Sequence, residues 1–139
     1  VRFVGYSFVD DTDLIQTAHS HMDTEQDVAL EMQRSLNTWE GAIRATGGAI
    51  VPDKSFWYLI GFKWTEGHWK YKDEEDAPAI LTVRDSDGEA IQLERLPPHI
   101  ARRTLGVCLA PDGNNSDEIK HLQSIAERWK DHIRTGHLQ

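Results

Sequence analysis

Val28, Met32, Leu36, Trp39 and Ile43 recur at spacings of four, four, three and four. On a helix of 3.6 residues per turn these positions form one apolar stripe, which must be buried against something else. Asp23 or Thr24 can cap the start, with Gln26 and Asp27 three residues on for a capping box. Gly47-Gly48 is a strong stop. The pattern predicts a helix over 24–46. A second stripe of Ile119, Leu122, Ile125, Ala126, Trp129 and Ile133 predicts another over 116–135, capped by Asn115 or Ser116.

What surrounds the helices has a different period. Residues 2–8 are rich in aromatic and β-branched types and predict a strand. Val9-Asp10-Asp11 interrupts it and residues 12–17 return, giving a tight hairpin with two aspartates at its tip. Residues 55–64 form a long apolar-aromatic run, turned at Thr65-Glu66-Gly67 into a strand over 68–72. Residues 72–77 read as a solvated acidic loop. Residues 79–84 and 89–95 flank the hairpin signal Asp85-Ser86-Asp87-Gly88. After the break at Leu96-Pro97-Pro98, residues 104–110 predict a further strand. Antiparallel hairpins with two amphipathic helices packed on one face make the fold α+β, and 139 residues suit a single domain, 1–139.

The charge balance narrows the function. The net charge is −8, whereas a free-standing nucleic-acid binder is usually basic. The isolated chain is therefore expected not to bind nucleic acid tightly, which leaves open a fragment whose basic surfaces lie in a longer chain. The apolar runs are too short to span a bilayer, and no charged-then-apolar leader opens the sequence. One cysteine, Cys108, excludes an internal disulfide. The start at Val1, already within a strand, suggests an upstream portion.

Asp10-Asp11 is the feature with most chemistry. Adjacent carboxylates repel, and each raises the other's pKa. A bound divalent cation removes that penalty, and hard oxygen ligands suit Mg²⁺ or Mn²⁺. Two such ions ~4 Å apart can activate an attacking hydroxyl and stabilise a leaving pyrophosphate. The plainer reading is a polar turn, for which Asp is a favoured residue.

Order along the chain separates the two. Phe8-Val9-Asp10-Asp11 resembles the aromatic-x-Asp-Asp turn of reverse transcriptases, in particular those of retrotransposons. In that family an amphipathic palm helix follows, as 24–46 does here. A Gly-rich turn, a short strand and a lysine come next, matched by 46–55 with Gly47-Gly48 and Lys54. Then come a strand with a Leu-Gly pair, matched by Thr104-Leu105-Gly106-Val107, and a helix at the thumb boundary, matched by 116–135. The resemblance implies the C-terminal portion of a polymerase palm. It divides into the Asp-Asp hairpin, palm helix and lysine turn (1–61), a β-hairpin insertion (62–102), and the Leu-Gly strand with the last helix (103–139). It makes Asp10 and Asp11 metal ligands, with Asp10 the more direct, and sets Lys54 against the triphosphate. Leu105 and Gly106 would position the primer end. The partners implied for the full-length protein are an RNA or DNA template-primer and dNTP, inside the cell. The family's third metal-binding aspartate and its fingers have no counterpart in these residues, so the fragment is expected to be inactive alone. The alternative is a non-catalytic palm-like binding or scaffold domain, or a mobile-element remnant.

Other motifs carry less. His19-Ser20-His21 would place two imidazoles on one face of a strand, without the further ligands that zinc requires. Asp85-Ser86-Asp87-Gly88 lacks the terminal Glu of a calcium loop in register. Trp39 and Trp129 lie on the helix stripes and are expected in the core. Trp57, Trp64 and Trp69 are expected there or in cross-strand pairs. Cys108 is expected to be a buried structural thiol.

Overall fold

The structure is a computed structural model that describes residues 3–8, 11–104 and 106–136. The chain is α+β, with several antiparallel hairpins and two helices. It divides into two compact units, Val1–Pro97 and Pro98–Gln139.

The first unit begins with β1 (Val4–Phe8) and β2 (Asp11–Ile15), an antiparallel pair whose register runs from Val4 opposite Ile15 to Phe8 opposite Asp11. Helix α1 (Glu25–Ala45) follows, with a reciprocal capping box at its start. Asp27 N–H donates to Thr24 Oγ1 at 3.2 Å, and Thr24 N–H donates to Asp27 Oδ2 at 2.8 Å. At the other end Gly47 takes φ +83°, Gly48 N–H reaches Ile43 O at 3.0 Å, and Gly47 N–H reaches Arg44 O at 3.0 Å. That is the Schellman closure, which needs a residue at ease with positive φ. A 3₁₀ turn at Pro52–Lys54 stands where the short strand before Lys54 was expected.

The run over 55–64 does not form one strand. It splits into β3 (Phe56–Trp57) and β4 (Phe62–Thr65) because its two ends have different partners. β4 folds back on β5 (His68–Tyr71) through Glu66 and Gly67, both at positive φ, the turn geometry that matches strand twist. β6 (Thr82–Arg84) pairs with β7 (Ala90–Gln92), and β8 (Glu94–Arg95) lies parallel to β3. Gly61 separates β3 from β4. A Cβ there would lie 2.8 Å from Glu25 Oε1, so Gly61 lets the chain pass directly under the start of α1.

The core of this unit is Leu36, Leu81, Val83 and Leu93, with Leu14, Met32, Ile50 and Trp57 packed against it. Leu81, Val83 and Leu93 come from 62–102. The 62–102 segment thus supplies the most deeply buried apolar side chains of the unit. Leu81 and Val83 are 2% and 1% exposed.

How α1 meets β6 follows from strand geometry. Leu93 N–H donates to Leu81 O at 2.9 Å and Asp85 N–H to Glu89 O at 3.0 Å, so the odd-numbered residues of this strand bond toward β7. In an antiparallel ladder the even-numbered residues then point their backbone groups the other way. Gln33 on α1 meets that edge, its Nε2 donating to Thr82 O and its Oε1 accepting from Thr82 N–H, both at 2.8 Å. About three turns further along α1, Arg44 Nη2 donates to Arg84 O at 3.2 Å and to Asp85 O at 2.6 Å. Trp57 Nε1 reaches Leu93 O at 3.4 Å, and the Arg95 guanidinium lies 5.3 Å over the Trp57 ring while donating to Ala77 O at 2.6 Å.

The second unit holds β9 (Arg102–Thr104) and β10 (Val107–Leu109), an antiparallel pair, and α2 (Ser116–Thr135). The single strand expected over 104–110 is instead a hairpin. Gly106, at φ +87°, sits in the connection between the paired residues Thr104 and Val107. α2 lies against β10, and Glu118 Oε2 accepts Cys108 N–H at 2.7 Å. Its N-cap is Asn115, but the side-chain contact comes from one residue earlier, where Asn114 Oδ1 accepts Ser116 N–H at 3.0 Å. Trp129 was expected in a core and is 67% exposed. Cys108 is half-buried rather than buried.

Two outcomes test this account. Gln33→Leu leaves Thr82 N–H and C=O without their partner, and the expected loss in urea unfolding is about 1–3 kcal/mol. The second concerns Glu25, whose Oε1 accepts from Lys72 Nζ at 2.6 Å. That ammonium, with the backbone amide of Glu25 itself, holds its carboxyl below the usual carboxylate range. A lowered folded value contributes stability that is complete above the unfolded value, about 4.3, and is lost as pH falls through the folded value. Glu25→Gln should therefore unfold at lower urea than the parent at neutral pH, with the gap closing below about pH 4.

Candidate metal centre

β2 is placed by what it buries. Thr12 and Leu14 point inward, Leu14 into the core beside α1, and Asp11, Asp13 and Ile15 alternate outward. Asp11 is therefore an exposed carboxylate at the first residue of β2 rather than at the hairpin tip. Its cross-strand neighbour is Phe8, and that of Asp13 is Tyr6. Thr12 Oγ1 donates to Ser7 Oγ at 3.2 Å on the opposite face. Val9 and Asp10 lie outside the described residues, so the structure gives no geometry for the Asp10 carboxylate.

Asp13 is the residue that motif reading passed over. It stands two positions from Asp11, and strand periodicity puts both carboxylates on one face, with Cα atoms ~6.6 Å apart. The signal was present in Asp11-Thr12-Asp13 once β2 is taken to start at Asp11. Carboxylate oxygens of this kind suit a hard divalent cation. Among the described residues no three His, Cys, Asp or Glu side chains converge closely enough to hold a metal ion by themselves.

Lys54 ends the 3₁₀ turn and is exposed. Among the described residues this turn does not pack extensively on β1 or β2, whereas α1 packs on both β2 and β6. Asp11 and Lys54 thus share the first unit without being drawn into one cluster. Gly106 belongs to the second unit, exposed in its hairpin connection. Leu105 lies outside the described residues.

The remaining candidates resolve into local structure. His19 and His21 lie in a bend and turn rather than a strand, and both are exposed. Asp23 Oδ2 accepts His19 N–H at 2.7 Å and Ser20 N–H at 3.1 Å, so this carboxylate closes the loop. Asp85 Oδ1 likewise accepts Asp87 N–H at 2.9 Å and Glu89 N–H at 3.0 Å, which accounts for that turn without a cation. Trp64 and Trp69 face each other across β4 and β5 as an edge-to-face pair at 5.2 Å, with both rings largely exposed. Trp39 is half-buried on α1. No helix among the described residues is long and apolar enough to cross a membrane.

Comparison of the chain with known protein families, with curated proteins and with solved structures finds no match.

Proposed function

We propose that this chain is the C-terminal part of a reverse-transcriptase palm, of retrotransposon type, in which Asp10 and Asp11 hold Mg²⁺ or Mn²⁺. The observation that carries the reading is the β1–β2 register. Phe8 stands opposite Asp11, only residues 9 and 10 join the strands, and a capped amphipathic helix follows. The motif resemblance asks for an aromatic residue and two aspartates in that setting. Asp11 offers an open carboxylate, and Asp13 on the same face is a further oxygen donor.

In that role the bound cation would favour ionisation of a primer 3′-hydroxyl and stabilise the leaving pyrophosphate. The aspartates would hold the ion and fix where it sits. Lys54, exposed on its turn, would neutralise or protonate the pyrophosphate oxygens. Gly106, with Leu105, would help to place the primer end. Template-primer and dNTP would be met inside the cell, and the acidic chain would depend on the remainder of a longer protein for its grip on nucleic acid.

A second reading, a non-catalytic palm-like scaffold or a mobile-element remnant, draws on a separate observation. Three of the four core residues of the first unit, Leu81, Val83 and Leu93, come from 62–102 and the fourth, Leu36, from α1, so the packing that would support a scaffold is made by residues other than Asp10 and Asp11.

Mn²⁺ titrated into ¹⁵N-labelled protein should broaden amide signals at residues 8–13, and Asp10→Asn/Asp11→Asn should abolish the effect. Broadening centred on the acidic loop 73–76, or unchanged by the double substitution, would leave the turn without a metal role. A primer-extension assay on the 139-residue chain alone should show no nucleotide incorporation, because two of the family's three aspartates make an incomplete centre. Extension by this chain would overturn that part of the proposal.

A further inference from the structure

α2 buries the wrong side for its pattern. Its half-buried residues are Glu118, His121 and Ile125, and Glu118 is tied to Cys108 N–H on β10. The apolar stripe is turned away by about a quarter of the helix circumference. Ile119, Leu122, Trp129 and Ile133 are 45%, 55%, 67% and 65% exposed. With Ala126 they follow the spacing three, four, three, four, the a/d pattern of a helix that packs along another helix.

We propose that this face is a self-association surface, and that two copies of the chain pair through α2 in antiparallel orientation. Side-chain size argues for it. Ala126 leaves a shallow hollow bounded by Trp129, Lys130, Ile133 and Arg134. In an antiparallel pair whose two-fold axis passes between positions 127 and 128, Trp129 of each copy lies opposite Ala126 of the other. Leu122 then lies opposite Ile133. A large ring thus fills a small-residue gap twice. A parallel pair would instead stack Trp129 on Trp129 and leave Ala126 facing Ala126 across a void.

Charge argues the same way. The first turn of α2 carries Asp117 and Glu118, and its last turn carries His132 and Arg134. Antiparallel pairing brings the acidic end of one helix toward the basic end of the other and opposes the helix dipoles. Parallel pairing would set like against like. A lipid surface fits less well, since Asp117, Glu118, Glu127 and Asp131 balance Lys120, Arg128, Lys130 and Arg134, leaving no net attraction to anionic headgroups.

The test is sedimentation of the 139-residue chain from micromolar to near-millimolar concentration. A reversible dimer is expected. Ala126→Glu, which sets an unpaired charge against the ring of Trp129, should weaken it by about 100-fold or more with unchanged helix content. If that variant loses helix, Trp129→Ala serves instead and should also be monomeric. Orientation is read in a Cys108→Ser background, where a mixture of Gln123→Cys and Lys130→Cys chains should form mixed disulfides on oxidation while neither variant cross-links alone. A monomer at every concentration, or a dimer that survives both core substitutions, would overturn the proposal. So would self-cross-linking of Gln123→Cys, or a monomer that co-sediments with anionic phospholipid vesicles.

Discussion

The first unit depends on how the free edge of β6 is closed. A three-residue strand paired on one side only leaves its outward N–H and C=O groups to water or to another chain. Gln33 answers both groups of Thr82 with one side-chain amide, acting as a single residue of a missing strand. Arg44 does the same for the carbonyls of Arg84 and Asp85. These contacts fix where α1 lies along β6, and so which residues of its stripe meet Leu81 and Val83. β2 follows, because Leu14 packs into the same cluster, and with Leu14 inward Asp11 and Asp13 must point outward. The exposure of the candidate carboxylates is thus set from across the unit by two polar side chains on α1.

Local signals in the sequence were easy to read and proved right wherever they acted alone. Thr24 with Asp27, and Gly47 with Gly48, bound α1 because each end is closed by residues within a few positions of one another. Glu66-Gly67 and Asp85 to Gly88 gave their turns for the same reason. What could not be read was pairing at a distance. β3 runs parallel to β8, some 38 positions away, and no periodicity announces that partnership. It is the cause of the break in the 55–64 run, which looked continuous because apolar residues suit both halves. The 62–102 segment carries no motif of the family that the sequence resembles, yet its hairpin supplies Leu81, Val83 and Leu93 to the core, and no local signal says that these meet Leu36 of α1.

The candidate site was half legible. Its hairpin and the aromatic-aspartate order could be seen, but Asp11 was placed at the tip, when pairing with Phe8 carries it into β2. One position of register decides this. It also decides that Asp13 shares the face of Asp11, since strand side chains alternate. Leu105-Gly106 was read as strand because Val107 to Leu109 and Arg102 to Thr104 are both extended. Gly106 at positive φ instead separates them into a hairpin, a role glycine fills without strain.

The two helices show where sequence pattern stops being informative. α1 and α2 have stripes of similar length and regularity, yet Leu36 is buried while Trp129 and Ile133 are largely exposed. The difference lies in the opposite face. Gln33, Glu40 and Arg44 flank the stripe of α1 with groups that β6 or a neighbouring turn of the helix can satisfy, so the stripe and its polar flank can face the same strand. On α2, Glu118, which bonds to the neighbouring hairpin, sits about 60° around the helix from the middle of the stripe. Anchoring Glu118 to Cys108 N–H therefore turns the stripe away from β10. A half-buried charge-assisted hydrogen bond can outweigh a few exposed apolar contacts when a second surface can cover the latter. An amphipathic pattern states that a helix has an apolar face. The polar residues beside it choose whether that face meets its own unit or another chain.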